Sequence, residues 1–149
     1  MIVENHQIAF RNVASKFYNF LPEEIDLAIK DFDTILSDYG YQADGKIFFS
    51  IISDPTAEVM TAELFLRVEE SYFDIPKQEE IDFRSYFLVN HMIMTRIIAD
   101  FELQSQVKYW ELIEYIKEHK MTQKTPIFVE LITNQAGQSY AEMSVGVLD

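Results

Sequence analysis

The sequence predicts an α+β fold in which tandem βαββ repeats form one antiparallel sheet with two helices on one face. Three observations predict it. Ile47–Ile52 returns as Ile127–Ile132, an offset of 127 − 47 = 80. Ala62–Val68 reads against Ala141–Val147, with Glu63 opposite Glu142 (142 − 63 = 79), and the helix that opens at Pro22 has its counterpart opening at Glu102 (102 − 22 = 80). Self-similarity at a fixed period is the mark of a repeated supersecondary unit, and two such units can pair their strands while both helices cover one face.

Each element has a local reason. Ile8–Phe17 has strand composition, and Leu21-Pro22-Glu23-Glu24 then opens a helix, with Pro suited to the first helical position and acids to the positive end of the helix dipole. Ile25, Ala28, Ile29, Phe32, Ile35, Leu36 and Tyr39 form the i, i+3, i+4, i+7 stripe of an amphipathic helix that stops at Gly40. Lys46–Ser53 is a nearly continuous apolar strand. Val59–Val68 alternates, with Met60, Ala62, Leu64, Leu66 and Val68 on one face and Thr61, Glu63, Phe65 and Arg67 on the other.

Ser71–Arg84, acidic and carrying Pro76, reads as the linker between the halves. The order then begins again. Tyr86–Ala99 is expected as a long strand with Tyr86, Met92, Met94 and Arg96 on one parity and His91 on the other. Glu102–Lys120 is expected as a helix with its stripe through Tyr109, Leu112, Ile113 and Ile116, and Trp110 is expected to anchor it to the sheet. Pro126–Thr133 and Ser139–Leu148 close the second half across the hairpin loop Asn134–Gln138. In this arrangement the sheet face away from the helices stays partly uncovered and offers a binding surface.

Composition narrows the functions. A chain of 149 residues, 48% hydrophobic, can bury roughly 70% of its unfolded surface, so one domain over 1–149 is expected, with halves 1–70 and 85–149 and linker 71–84. Asp and Glu number 25 against 12 Lys and Arg, a formal charge of −13, which disfavours nucleic acid and favours cationic ligands or basic protein partners. The absence of cysteine excludes disulfides, thiol nucleophiles and Cys-ligated zinc. Met1–His6 lacks the pattern of a signal peptide and no apolar run approaches membrane-spanning length, so no membrane insertion and a cytoplasmic location are expected. With only 4 Gly there is no phosphate-cradling loop and no GxSxG elbow, so no catalytic set and no cofactor is expected. His6, His91 and His119 are dispersed, without metal-ligand spacing, and are read as bystanders.

The two βαββ repeats, the Leu21-Pro22 start of the first helix, Phe128-Val129-Glu130 and Ala141–Val147 together resemble the gyrase-inhibitor-like (GyrI-like) domain. The resemblance implies a cleft between the halves that binds small molecules, often cationic and hydrophobic, with a strand acid facing the ligand; Glu130 matches that acid best. Where relatives have Gly then Tyr before the second helix, this chain has Ala99-Asp100-Phe101. No segment reads as the DNA-binding helix-turn-helix that many relatives carry. Acidic, free-standing members are also similar to accessory proteins of type VII secretion systems of Gram-positive bacteria, which implies a non-enzymatic adaptor that holds or guides a protein client.

The resemblance thus implies an adaptor first, a sensor or sequestering protein for cationic amphipathic compounds second, and a small hydrolase using a cleft glutamate third. The expected ligand-binding residues are Glu130, Phe128, Phe65, Glu63, Tyr86 and Tyr140. Glu130 shares a strand face with Phe128 and Ile132, where a partly desolvated carboxylate would attract a cation. Glu63 and Glu142 are repeat equivalents, Phe65 is placed to stack on a ligand, and Tyr86 or Tyr140 would assist Glu130 in the hydrolase reading.

Overall fold

A computed structural model of the chain describes residues 1–54 and 56–149. Strand β1 (Val3–Phe20) leads through a 3-10 turn at Pro22–Glu24 into helix α1 (Ile25–Asp38), and β2 (Ala43–Ile51) and β3 (Met60–Val68) complete the first half. The second half runs β4 (Asp82–Ile97), α2 (Phe101–Glu118), β5 (Thr122–Thr133) and β6 (Ser139–Leu148). The expected order is therefore present. The expected linker is shorter at its end, because Asp82, Phe83 and Arg84 pair with Ser15, Ala14 and Val13 of β1.

Every strand pair is antiparallel, and the order β1-β3-β2-β5-β6-β4 closes on itself. Strands that are equivalent in the repeat pair with each other. The β2·β5 ladder holds Phe49 opposite Val129, 129 − 49 = 80, and the β1·β4 ladder holds Ile8 opposite Val89, 89 − 8 = 81. Ile47↔Leu66 within the first half reappears as Ile127↔Val145 in the second, at offsets of 80 and 79. The halves are thus related by a pseudo-two-fold axis. The helix ends repeat as well: Tyr41 N–H donates to Leu36 O, and Met121 N–H donates to Ile116 O. Gly40 adopts φ +86° there, and its equivalent Lys120 is forced to φ +55° without glycine's freedom.

Closure corrects one expectation. The face opposite the helices is not an open sheet; the β1·β4 ladder turns it into the inside of a barrel. Two apolar clusters result. Outside the barrel, Phe32 and Leu36 of α1 and Leu112 and Ile116 of α2 pack with Phe49, Leu64, Leu66, Ile93, Val129, Met143 and Val145. Inside, Phe48, Phe65, Phe87 and Phe128 pack with Ile8, Val13 and Met92. Phe48 and Phe65 stack at 4.5 Å between centroids, and Phe87 meets Phe128 edge-on at 5.9 Å, geometries that the ring quadrupole favours.

Trp110 does not anchor α2. Its side chain is 54% exposed and, with Val107, lies along an open groove between α2 and the first two residues of the chain. Leu112 and Ile116 bury α2 instead.

Helix α1 is tied to β1 by Tyr18, whose hydroxyl donates to Asp31 at 2.7 Å. Burial first, and then that bond, hold the phenol well above its ordinary range. A pKa raised by folding stabilises the folded state below the unfolded phenol's value of about 10, and the contribution is lost as pH rises toward the folded value. Stability should therefore fall more steeply above pH ~10 in wild type than in Tyr18→Phe, as followed by urea unfolding at a series of alkaline pH values. Equal slopes would remove Tyr18 as the cause.

Candidate functional site

Two rows of inward side chains cross the barrel. One runs Glu63, Ser50, Phe128, Ser144, Met94 along successive paired strands. The other runs Phe65, Phe48, Glu130, Glu142, Arg96. The pseudo-two-fold exchanges them, taking Glu63 to Glu142, Ser50 to Glu130 and Phe48 to Phe128. The repeat thus puts one glutamate in each row, and differences between the halves decide what surrounds each.

Around Glu63 is a cavity of about 380 Å³ lined by Ser50, Ile52, Phe65, Arg84, Tyr86, Phe87, Leu88, Pro126 and Phe128. Its floor is aromatic, and the Arg84 guanidinium stands over the Phe65 and Phe87 rings at 5.8 and 5.4 Å, within cation–π reach. Four of the six residues expected from the sequence, Glu63, Phe65, Tyr86 and Phe128, meet here. Phe65 is fully packed, with the Phe48 ring stacked on it and the Arg84 guanidinium over it. Arg84, hidden in what reads as an acidic linker, was not expected; its only signal is that it lies two positions before the strand Tyr86–Ala99 expected from the sequence.

Glu130 and Tyr140 lie elsewhere, beside Glu142. Glu130 and Glu142 are directly opposed on β5 and β6, and each has a cationic or basic neighbour. His6 Nε2 lies 2.9 Å from Glu130 Oε2, and Arg96 donates from Nη2 to Glu142 Oε2 at 2.6 Å while standing over the Tyr140 ring at 5.0 Å. The bond to Glu142 raises the Arg96 pKa further above its ordinary value. His6 is thus no bystander. It shares the inward parity of β1 with Ile8 and Phe10, but it lies before Ile8, where the sequence placed the start of the strand.

The expected parity of β4 also fails at one point. One residue of β1, Gln7 between His6 and Ile8, faces two of β4, Asn90 and His91 between Val89 and Met92, and His91 takes φ +53° in that bulge. One extra residue reverses the facing of a strand. Phe87 and Met92, five positions apart, therefore share the inside, and Tyr86 does not lie on the Met92 face but at the rim of the cavity.

The architecture is that of solved structures with low sequence identity. The C-terminal domain of EcmrR superposes with a TM-score of 0.63 at 12% identity, over 96% of this chain and 97% of that one. EcmrR in a DNA complex gives 0.67 at 12% identity over 97% of this chain, which spans 57% of that longer protein. A hydrolase from Listeria innocua gives 0.54 at 10% identity, over 99% of this chain and 90% of that one. The fold is GyrI-like, α+β with a six-stranded antiparallel sheet and two helices. No curated protein matches the chain. Across residues 9–148 the sequence matches the family described as "Domain of unknown function (DUF5085)", and the chain belongs to that family.

Proposed function

We propose that the protein binds an organic cation with an apolar, aromatic body in the cavity beside Glu63, without transforming it. One observation carries this reading. A guanidinium already stands over the aromatic floor formed by Phe65 and Phe87, so the floor accepts a positive charge, and Glu63 supplies a carboxylate on the same lining. A ligand cation would take the place that Arg84 fills, its body against Phe128 and Tyr86. The net charge of −13 raises the local concentration of such ligands. The lining brings one carboxylate, a serine and a tyrosine but no histidine or lysine, so Glu63 is the one base on that lining, and pairing it with a ligand cation takes it out of hydrolytic use.

The test is a titration of cationic dyes followed by fluorescence. Glu63→Gln should weaken binding at least tenfold, about 1.4 kcal/mol, Arg84→Ala should strengthen it by vacating the cation position, and Glu130→Gln should leave it unchanged. Affinity indifferent to both Glu63 and Arg84 would place the ligand outside this cavity and overturn the reading.

A further inference from the structure

We propose that His6, Glu130 and Glu142 form a binding site for one divalent first-row transition-metal ion, distinct from the cavity beside Glu63. One ligand atom from each residue can be chosen so that all three lie within 4.8 Å of one another. Donors about 2.0–2.2 Å from a shared ion stand at most roughly 4 Å apart, so a contraction of under about 1 Å, within side-chain rotation, completes the set.

The backbone puts these groups together for reasons that packing alone does not supply. His6 sits between two bulges, one on β4 at His91 and one on β1 at Asn5, which takes φ +60°; bulges re-aim side chains next to functional sites. Across the barrel, Glu130 and Glu142 are cross-strand neighbours, with side chains only 12% and 10% exposed. Like charges directly opposed on a sheet repel, and burial strengthens the repulsion. Arg96 answers for one of the two charges. Its bonds both fall on Oε2 of Glu142, and that of His6 falls on Oε2 of Glu130, so each carboxylate keeps Oε1 for another partner.

Two further observations bear on this end of the barrel. Ser144, on the same inward face of β6 as Glu142 but one row along, opposite Phe128, is fully buried, and its hydroxyl has no partner among the described residues. The repeat also argues against an inherited packing role, because the equivalent of Glu130 is Ser50. The second carboxylate belongs to this end of the barrel only.

The donor set selects the ion. One imidazole nitrogen with two carboxylate oxygens suits Zn²⁺, Mn²⁺, Fe²⁺ or Co²⁺, whereas Ca²⁺ and Mg²⁺ take oxygen ligands and gain little from His6. Three protein ligands leave positions open for water, and Arg96 orients the Glu142 carboxylate in the way outer hydrogen bonds orient ligating groups.

Untagged, metal-free protein would be titrated with Co²⁺, followed by its visible absorption bands, and with Zn²⁺ in competition with a chromophoric chelator. The expected result is one ion per chain, bound at least tenfold more weakly by His6→Asn and by Glu130→Gln and unchanged in Glu63→Gln. Wild type at a hundredfold excess of Zn²⁺ over Kd should unfold roughly 5 °C or more higher, which decides the matter even if a variant folds poorly. The proposal is overturned if Co²⁺ gives no saturable bands at one equivalent, or if His6→Asn binds Zn²⁺ as tightly as wild type. It is equally overturned if Ca²⁺ matches Zn²⁺, since that would describe acidic surface rather than a built site. None of these readouts depends on the dye cavity, so the two readings stand or fall separately.

Discussion

Phe48→Ala should lower the stability of the protein by about 3–5 kcal/mol, the usual cost of emptying a buried phenylalanine site. Phe48 is 1% exposed and is the ring shared by the whole inner cluster. It stacks on Phe65 at 4.5 Å and meets Phe87 at 5.2 Å, Phe10 at 5.4 Å and Phe128 at 6.3 Å. The barrel walls limit collapse around the vacated space, so both the transfer term and the cavity term apply in full. In a domain of this size such a loss lowers the unfolding midpoint by roughly 10 °C. Phe17→Ala is the control, because Phe17 pairs opposite Glu63 on β3 but is 56% exposed, and it should cost under about 1 kcal/mol. Urea unfolding of the two variants measures the difference. A Phe48→Ala loss no greater than that of Phe17→Ala would mean that the inside of the barrel is not packed as described.

The fold was legible because its information is local and then repeated. The alternation of β3 separated Ala62, Leu64, Leu66 and Val68 from Glu63 and Phe65, and those two sets lie outside and inside the barrel. The stripe of α1 named Ala28, Phe32 and Leu36, the residues that α1 buries. Closure was not legible. It rests on the pairing of β1 with β4, between residues some eighty positions apart, and no local pattern encodes which of two free edges will meet. Trp110 misled because a large aromatic in a helix is ordinarily buried, whereas the buried residues of α2 number only two, Leu112 and Ile116.

The candidate site was legible in part for the same reason. Periodicity placed Glu63 with Phe65, and Phe128 with Glu130, on common faces, but it could not order the two rows across the barrel. Only the ladder registers set Glu63 beside Ser50 and Glu130 beside Glu142. The bulge at His91 carries no glycine or proline to announce it, yet it moves Tyr86 off the Met92 face. His6 was missed because a histidine has no partner in a linear reading until the chain 124 residues away is folded against it.

Arg96→Met should cost about 2 kcal/mol and should be partly undone by a second change, Glu142→Gln. Removing one partner of a buried ion pair costs about 3–5 kcal/mol because the other charge is left stranded. Arg96 is 52% exposed at its side chain while Glu142 is 10% exposed, so water screens half of the pair and the larger figure must be discounted. What remains is the Glu142 carboxylate facing Glu130 with its nearest cation gone. The double variant removes that charge as well, so its loss should fall short of the sum of the single losses by about 1 kcal/mol, well beyond the roughly 0.3–0.5 kcal/mol within which independent sites add. The same cycle on Lys108 and Glu111, a half-exposed i,i+3 pair on α2 at 3.4 Å, should give about 0.5 kcal/mol or less. Added Zn²⁺ should restore stability to Arg96→Met more than to wild type, since an ion held by His6, Glu130 and Glu142 supplies the charge that the guanidinium had supplied. Strict additivity in the Arg96–Glu142 cycle would show that the two carboxylates are not forced together, and the electrostatic account of this end of the barrel would fall with it.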